Sequence, residues 1–174
     1  MIRTLLLASL AAAALSACAT APSPGAARAQ TERQIDYGGF SDLTRTLAPY
    51  RADRRVTLAE FKRMAAAGGA LILDARSPRA YAQGHIKGAV NVPFTDFTAQ
   101  RLKEAIGDPN RRILIYCNNN FANDAAPVAL KSAPLALNIP TFINLYGYGY
   151  KNLYELGDVV DFNDPAVEWV RGSA

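Results

Sequence analysis

The stretch that most restricts how this chain can fold runs from Ile113 to Asp124 and reads ILIYCNNNFAND. Four β-prone apolar residues lead directly into Cys117, which predicts a strand that is buried on both faces and ends at the cysteine. The asparagines that follow break the apolar pattern and begin a short polar loop. Because open α/β sheets bind ligands at the carboxyl edge of their strands, the thiol is placed where a site is expected.

Further apolar runs alternate with segments of helical periodicity. Thr57 and Glu60 form a capping box, which predicts the start of a helix. Strands are predicted at 70–75 and 89–92, and a helix at 95–106. Short strands separated by helices are typical of a parallel sheet covered on both faces. We therefore predict an α/β fold with a mainly parallel central sheet of about five strands.

The C-terminal half is predicted to continue this alternation. Asn123 or Asp124 would cap a helix after the cysteine loop. A strand is predicted at 141–145 and a final helix at 152–160, and Trp169 is expected to pack back onto the domain. Three tyrosines follow the predicted strand: Tyr146, Tyr148 and Tyr150. They would lie at the same edge as the cysteine, either walling a pocket or packed at the surface.

The N-terminal segment has the features of an export signal. Arg3 precedes an apolar run that is too short to span a bilayer in the mature protein. The motif LSAC at 15–18 resembles the lipobox of bacterial lipoproteins. This resemblance implies that residues 1–17 are a signal peptide and that Cys18 carries the acyl chains, palmitate among them, of a membrane anchor. An ordinary secretory signal with an incidental cysteine is the alternative.

The residues after Cys18 indicate where the mature protein would reside. Ala19 is not the aspartate that resembles an inner-membrane retention signal, so we expect an outer-membrane lipoprotein facing the periplasm. Residues 18–34 are rich in alanine, proline and serine, which predicts a flexible tether. The folded domain is expected over 35–174, with membrane contact only through the lipidated cysteine.

Cysteine and histidine usage narrows the chemistry further. Because Cys18 lies in the targeting segment, it is not expected to pair with Cys117, and one free thiol in an exported domain is unusual. There is no Cys-x-x-Cys pair, and His85 is the single histidine, which argues against a zinc-type cluster. We expect no metal and no cofactor.

The distribution of charge does not favour a nucleic-acid partner. The net charge is +4, from 19 basic and 15 acidic residues. The basic residues cluster at 51–55 and at 111–112, and neither cluster is interleaved with aromatics as a nucleic-acid surface would be. We interpret both clusters as solvated surface and expect a monomer that does not bind nucleic acid.

Three segments carry a combined pattern: LDAR at 73–76, YAQGHIKGAVNVP at 81–93, and a strand ending in YC at 116–117. In this order and spacing they resemble the rhodanese-like domain family, with a matching core over 56–160. The resemblance implies a three-layer α/β/α fold and a sulfurtransferase. In such enzymes the cysteine thiolate takes a sulfane sulfur from a donor such as thiosulfate, becomes a persulfide, and passes the sulfur to a nucleophilic acceptor.

Cys117 is the predicted nucleophile. Since the thiolate is the reactive form, the site is expected to lower the thiol pKa, and a helix N-terminus with a curl of backbone N–H groups would do so. The alternative is a buried, inert core cysteine. The following loop is predicted to bind the substrate, through Asn118, Asn119, Asn120, Phe121, Ala122 and Asn123.

This loop departs from the pattern that active members of the family share. They carry a basic or small residue after the cysteine, a glycine, and often an arginine, whereas this loop has neither charge nor glycine. Asparagine amides can donate to an anion but supply no charge, so we expect weak thiosulfate affinity or a different sulfur donor. Phe121 would either cover the sulfur or anchor the loop by packing. Phosphatase chemistry is disfavoured because Asn123 stands where those enzymes have arginine.

Three further residues are predicted to support the site. Asp74 ends a buried strand and should be paired, with Arg76 as the candidate partner. In the family the corresponding acid and base line or brace the site. His85 lies in a turn, where an orienting hydrogen bond is a more common role than catalysis.

We therefore hypothesise a sulfurtransferase or persulfide carrier that uses Cys117. Its partner would be a small sulfur-containing anion or a protein persulfide donor. A non-catalytic rhodanese-like binding module is the first alternative, kept open by the uncharged loop. A thiol redox sensor in the cell envelope is the second.

Overall fold

Five parallel strands form the central sheet of the computed structural model, which describes residues 34–172. The strand that leads to Cys117 is the middle one, with neighbours on both sides. In spatial order the strands are β1 (Arg55–Val56), β6 (Leu153–Leu156), β5 (Ile113–Tyr116), β2 (Leu71–Asp74) and β4 (Ala89–Asn91). A small antiparallel pair lies apart from this sheet, β3 (His85–Ile86) with β7 (Trp169–Val170).

Five helices surround the strands in this part of the chain: α1 (Tyr37–Ala52), α2 (Leu58–Ala66), α3 (Pro78–Gln83), α4 (Ala99–Ile106) and α5 (Asn138–Gly147). Three of them begin at a side-chain cap, because Thr57, Ser77 and Thr98 each accept a hydrogen bond from a backbone N–H in the first turn. Half of the predicted capping box is confirmed, because the Thr57 hydroxyl accepts from the Glu60 N–H at 3.3 Å. The Glu60 carboxylate bonds to Arg63 instead of reaching back to Thr57.

The hydrophobic core occupies both faces of the sheet, and β5 contributes to each. Ile113 and Ile115 face one side, where they pack with buried residues of α4 and α5. Leu114 and Tyr116 face the other, together with Phe61 of α2. Alternate residues of a strand point to opposite faces, so an uninterrupted apolar run suits a strand covered on both sides. The predicted α/β fold, with a mainly parallel five-stranded sheet and helices on both faces, is confirmed.

Two elements near the C-terminus were predicted with the wrong type. The predicted strand at 141–145 is part of α5. Its β-branched and aromatic residues favoured a strand. Burial of Asn138, Thr141, Phe142 and Leu145 follows the i, i+3, i+4, i+7 spacing of a helix instead.

The predicted helix at 152–160 is wrong for a different reason. Its first half is the strand β6, which pairs with β5 on one side and β1 on the other. Glu155 is a good helix former in isolation, which favoured the helix. In the structure its carboxylate is buried and paired with Arg51 and Arg55, so tertiary contacts override the local preference.

The helix predicted after the cysteine loop is also absent, since residues 121–132 contain no helix. Asp124 has a φ of 40°, in the left-handed region. Its carboxylate accepts a hydrogen bond from the Leu130 N–H at 2.9 Å, so it closes a loop where the sequence predicted a helix cap.

The predicted signal peptide, Cys18 and the tether up to residue 33 lie outside the described residues. Within residues 34–172, no helix has both the length and the apolar character needed to cross a bilayer.

Trp169 packs back onto the domain, as predicted. Its ring meets Phe121 edge-on with centroids 5.0 Å apart and stacks on Phe162 at 5.3 Å. Gly84 lies directly against the indole, where a Cβ atom would overlap the ring. The absence of a side chain at position 84 therefore allows the C-terminal segment to close over the sheet.

Replacing Gly84 with alanine should displace the indole and destabilise the domain by about 2 kcal/mol, the usual cost of overpacking. Urea unfolding measures the decrease in the free energy of unfolding. Fluorescence of Trp169, the single tryptophan, should shift to longer wavelength in the folded variant because the displaced indole is more exposed. Gly147→Ala is the matched control, since its Cβ would make an ordinary contact with Leu43 at 3.4 Å. Equal stability of the two variants would contradict the prediction.

Candidate active site around Cys117

Cys117 follows the last residue of β5 at the carboxyl edge of the sheet, and its side chain is buried, with 1% of the residue exposed. Its backbone N–H donates to the Asn120 side-chain oxygen at 2.9 Å. Residues Asn118–Asn120 form a short 3-10 turn directly after it. The thiol is thus placed as the sequence predicts, but it is closed off from solvent.

Opposing effects act on the thiol. Burial raises its pKa, and this effect is larger than the others. The backbone N–H groups of Asn138, Asn119 and Leu137 act to lower the pKa, whereas the Glu155 carboxylate raises it. The net pKa lies above the ordinary thiol value, so the expectation of a lowered pKa is wrong.

A helix N-terminus does lie beside the sulfur, but it belongs to a different helix from the one predicted. The α5 helix begins at Asn138, whose side chain bonds to Asn120 beside Cys117, and the N–H groups of Leu137 and Asn138 act to lower the thiol pKa. Free N–H groups and the positive end of the helix dipole both favour a thiolate or another anion. The long loop between Cys117 and α5 brings these groups to the cysteine from a distant part of the sequence.

Side-chain amides tie the two halves of this loop together. Asn118 donates to the Ala129 carbonyl at 2.9 Å. Asn119 makes two bonds with the backbone of Lys131, donating to its carbonyl at 2.7 Å and accepting from its N–H at 3.2 Å. These contacts replace the backbone hydrogen bonds that a helix would supply.

Asn120 is the most constrained member of the loop, with only 5% of the residue exposed. Its amide nitrogen donates to the carbonyls of Leu156 at 2.8 Å and Asp158 at 3.1 Å. Its oxygen accepts from the Cys117 N–H and from the Asn138 amide, the latter at 3.0 Å. One buried side chain therefore joins the ends of β5 and β6 to the start of α5.

The remaining loop residues serve mainly to anchor it. Phe121 is fully buried and packs edge-on against Tyr116 and Trp169, so of its two predicted roles the structure supports packing. Asn123 contacts the backbone and side chains of the segment after β6, accepting from the Phe162 N–H at 3.0 Å. The exposed Ala122 donates its N–H to Val160. A substrate-binding role for residues 118–123 stays a prediction.

The predicted pairing of Asp74 with Arg76 is confirmed. Arg76 donates to both carboxylate oxygens, at 2.5–3.1 Å, and both side chains are almost fully buried. The Tyr116 hydroxyl donates to the same carboxylate at 2.5 Å, and burial, followed by the Asp74 charge, holds its pKa well above the usual value. Through Tyr116 this pair braces the strand that carries Cys117.

His85 contacts Tyr81 through both its ring face and its Nδ1 atom. Its ring stacks on Tyr81 with centroids 3.8 Å apart, and its Nδ1 lies 2.9 Å from the Tyr81 carbonyl oxygen. His85 also begins β3, which pairs with β7. A catalytic role for it gains no support from these contacts.

Two cavities flank the cysteine loop. The first, which we call the edge cavity, has a volume of about 350 Å³ and lies at the carboxyl ends of β2 and β4. It is lined by Ala75, Arg76, Ser77, Pro78, Ala80, Pro93, Phe94, Thr95, Asn118, Lys131 and Leu137. The second, which we call the arginine cavity, measures about 250 Å³. Its lining includes Arg51, Arg55, Asn119, Asn120, Asn138 and Glu155.

Sequence reasoning missed the arginine cavity. The sequence predicts the basic cluster at 51–55 to be solvated surface. Arg51, however, holds Glu155 through two hydrogen bonds at 2.7 and 2.9 Å, and Arg55 lies 3.4 Å from the same carboxylate. A glutamate within an apolar run was the available signal, because a buried carboxylate requires a cationic partner.

The tyrosines at 146–150 do not wall the site. They follow or end α5, whose other end meets Cys117, so the helix length of about 15 Å separates them from it. Tyr146 meets Tyr50 edge-on, Tyr148 donates to the Phe97 carbonyl, and Tyr150 lies in the core. The pocket role was wrong because 141–145 is a helix that runs back from the carboxyl edge of the sheet.

A family model described as the rhodanese-like domain matches residues 57–158, more than half of the chain. The chain belongs to the rhodanese-like domain family. The match begins directly after β1, extends past β6 and includes Cys117. Helix α1, which supplies Arg51, lies before it.

Two curated proteins are similar to part of this chain. An HTH-type transcriptional regulator of Mycobacterium tuberculosis is 39% identical over 77 residues, which is 42% of this chain and 33% of the regulator. The thiosulfate sulfurtransferase PspE of Escherichia coli is 37% identical over 46 residues, 26% of this chain and 43% of that protein. The chain thus spans a third to less than half of the length of these relatives.

The chain is also similar to solved structures of rhodanese-like proteins. A rhodanese from Escherichia coli with anions is 25% identical with a TM-score of 0.40, covering 59% of this chain and 99% of that one. A rhodanese-like domain from Anabaena is 20% identical, also with a TM-score of 0.40, covering 60% and 94%.

Replacing Glu155 with glutamine should lower the pKa of the Cys117 thiol. The substitution keeps the shape, removes the negative charge that disfavours the thiolate, and leaves the Arg51 charge unneutralised. Only the thiolate is alkylated, so the rate of reaction with iodoacetamide increases with pH around the thiol pKa. The midpoint of this increase should lie at lower pH in the variant than in the unmodified protein. Glu104→Gln, an exposed change on α4, should leave the profile unmoved. An unchanged or upward-shifted midpoint in Glu155→Gln would contradict the assignment.

Proposed function

We propose that this protein is a sulfurtransferase or persulfide carrier in which Cys117 is the nucleophile. The observation that carries the proposal is the placement of Cys117 at the carboxyl end of the central strand, where the Asn120 side chain joins its backbone N–H to the first residue of α5. This arrangement brings the start of α5 close to the cysteine and requires no charged loop residue. The positive end of a helix is suited to stabilising a thiolate or the terminal sulfur of a persulfide.

With thiosulfate the reaction is balanced as follows. The Cys117 thiolate attacks the outer sulfur of the donor, a new sulfur–sulfur bond forms, and the bond between the donor's two sulfurs breaks. Sulfite leaves with the electron pair, and Cys117 carries an anionic persulfide. A nucleophilic acceptor then removes the outer sulfur and regenerates the thiolate. The partial similarity to a thiosulfate sulfurtransferase supports this class of reaction.

The burial of Cys117 sets a requirement on this reaction. With 1% of the residue exposed, a donor cannot reach the sulfur unless part of the loop at 118–137 moves. The same burial and the raised thiol pKa favour a second candidate, a binding module that uses the cleft without sulfur transfer. Reactivity of the thiol separates the two.

Incubation with thiosulfate or a polysulfide should add about 32 Da, one sulfur atom, to the intact protein. The adduct should be absent in Cys117→Ser and removed by a reducing thiol. Mass spectrometry under non-reducing conditions makes the measurement. If no donor gives an adduct and Cys117 also resists alkylation at neutral pH, the binding module is favoured over the enzyme.

The N-terminal motif supports a further part of the proposal, a lipid anchor on Cys18 that faces the domain into the periplasm. Expressed from the full sequence in a bacterial host, the protein should incorporate labelled palmitate. Cys18→Ser should lose the label completely, and Cys117→Ser should keep it. Retention of the label in Cys18→Ser would rule out this anchor, and absence of label from the unmodified protein would favour an ordinary secretory signal.

A further inference from the structure

The first half of α1 and the last turn of α5 leave an apolar groove at the surface, which we call the aromatic patch. It has a volume of about 230 Å³ and is lined by Phe40, Leu43, Ile143, Asn144, Gly147 and Tyr148. Its two aromatic residues, Phe40 and Tyr148, are 46% and 44% exposed. Exposed apolar groups that share one groove indicate a contact with another surface.

The polar side chains of the aromatic patch are already bonded within the protein. The Tyr148 hydroxyl donates to the Phe97 carbonyl at 3.1 Å, and the Asn144 amide nitrogen donates to the Pro140 carbonyl at 2.8 Å. In the part of the chain that the structure describes, no charged side chain lines the groove. Because unpaired polar and charged groups are what oppose contact with an apolar phase, that penalty is small here.

The N-terminal segment joins the domain on the side of this patch. The α1 helix begins at Tyr37, and Phe40 and Leu43 lie in its first half. Cys18, the proposed lipidation site, precedes the first described residue by 34 − 18 = 16 positions. A chain of that length reaches at most about 55 Å, at roughly 3.4 Å per residue. An anchor on Cys18 therefore keeps the bilayer within reach of this end of α1.

The segment that precedes the domain is not suited to fill the groove itself. Residues 19–33 contain alanine and proline but no larger apolar residue. An occupant of the aromatic patch must instead offer an apolar surface to Phe40 and Tyr148.

A second copy of the chain also fits the aromatic patch poorly. The exposed parts of its two rings amount to on the order of 200 Å². A stable dimer buries about 800 Å² on each partner, so the patch is too small to hold two copies together.

We propose that the aromatic patch rests on the surface of the bilayer to which Cys18 is anchored. This inference rests on the lipid anchor proposed above. Aromatic side chains are favoured at the level of the lipid headgroups, where a ring meets acyl chains and a hydroxyl meets water. Because the anchor makes the contact intramolecular, the local concentration of bilayer is high and a small patch is sufficient.

Contact through the aromatic patch has a consequence for the candidate active site. The α5 helix ends at Gly147, within the patch, and begins at Asn138, whose side chain bonds to Asn120 beside Cys117. About 15 Å of helix separates these two ends. The contact therefore leaves the cysteine end of α5 outside the bilayer interface.

Brominated lipids quench tryptophan at short range, so an added tryptophan reports which surface meets the bilayer. The protein is expressed from the full sequence in a bacterial host and reconstituted into vesicles of phosphatidylethanolamine and phosphatidylglycerol, with or without bromine on the acyl chains. Phe40→Trp should lose emission in brominated vesicles, relative to the unmodified protein, whose single Trp169 sets the baseline. Leu135→Trp, an exposed position in the turn before α5, should lose none beyond that baseline.

The intact mass of the same sample reports acylation separately. If the protein is acylated but Phe40→Trp is not quenched, the anchor is supported and the membrane contact fails. Equal quenching at positions 40 and 135 would also overturn the contact, because it shows no preferred face. If no acyl chain is present, the anchor and the contact fail together. A cross-linked dimer in the vesicles that is lost in Phe40→Asn would assign the patch to a second copy and overturn the proposal.

Discussion

The side chain of Asn120 is the interaction on which the arrangement around Cys117 depends. It is buried, and its two donated and two accepted hydrogen bonds connect the segment after β5, the end of β6 and the first residue of α5. A buried amide that is fully satisfied in this way rigidifies its surroundings, because any displacement leaves several polar groups unpaired. Asn120 therefore links the first residue of α5 directly to the backbone of Cys117.

The charge balance of the site depends on a segment outside the family core. Glu155 lies on β6, next to β5, and raises the pKa of the Cys117 thiol. Arg51 comes from α1, before the matched residues, and keeps Glu155 paired even though burial raises the pKa of that carboxyl. In this chain, the charged cluster around Glu155 is built from β1, β6 and the preceding helix.

Features governed by local pattern could be predicted from the sequence. The strand ending at Cys117, the Thr57 cap and the Asp74–Arg76 pair each depend on residues close together in the chain. The secondary-structure types of α5 and β6 could not be predicted, because tertiary contacts override local preference in both. In α5 a β-prone segment is buried with helical spacing, and in β6 a glutamate is buried by its ion pairs. Because residues 152–160 are predicted as a helix and not as the strand β6, neither the contacts of Glu155 nor the arginine cavity could be predicted from the sequence.

The closed thiol is consistent with a nucleophile once the nature of the loop is considered. Between Phe121 and the 3-10 turn at Ala133–Leu135 no regular element holds the chain, and Asn118 and Asn119 provide side-chain contacts to its far half. These two side-chain contacts can open locally without unfolding the sheet, while Val128, fully buried in the same segment, keeps its place in the core. Burial is the largest influence on the thiol pKa, so exposure would lower that pKa while the N–H groups at the start of α5 remain fixed to the helix. The movement that admits a donor would therefore also favour the thiolate.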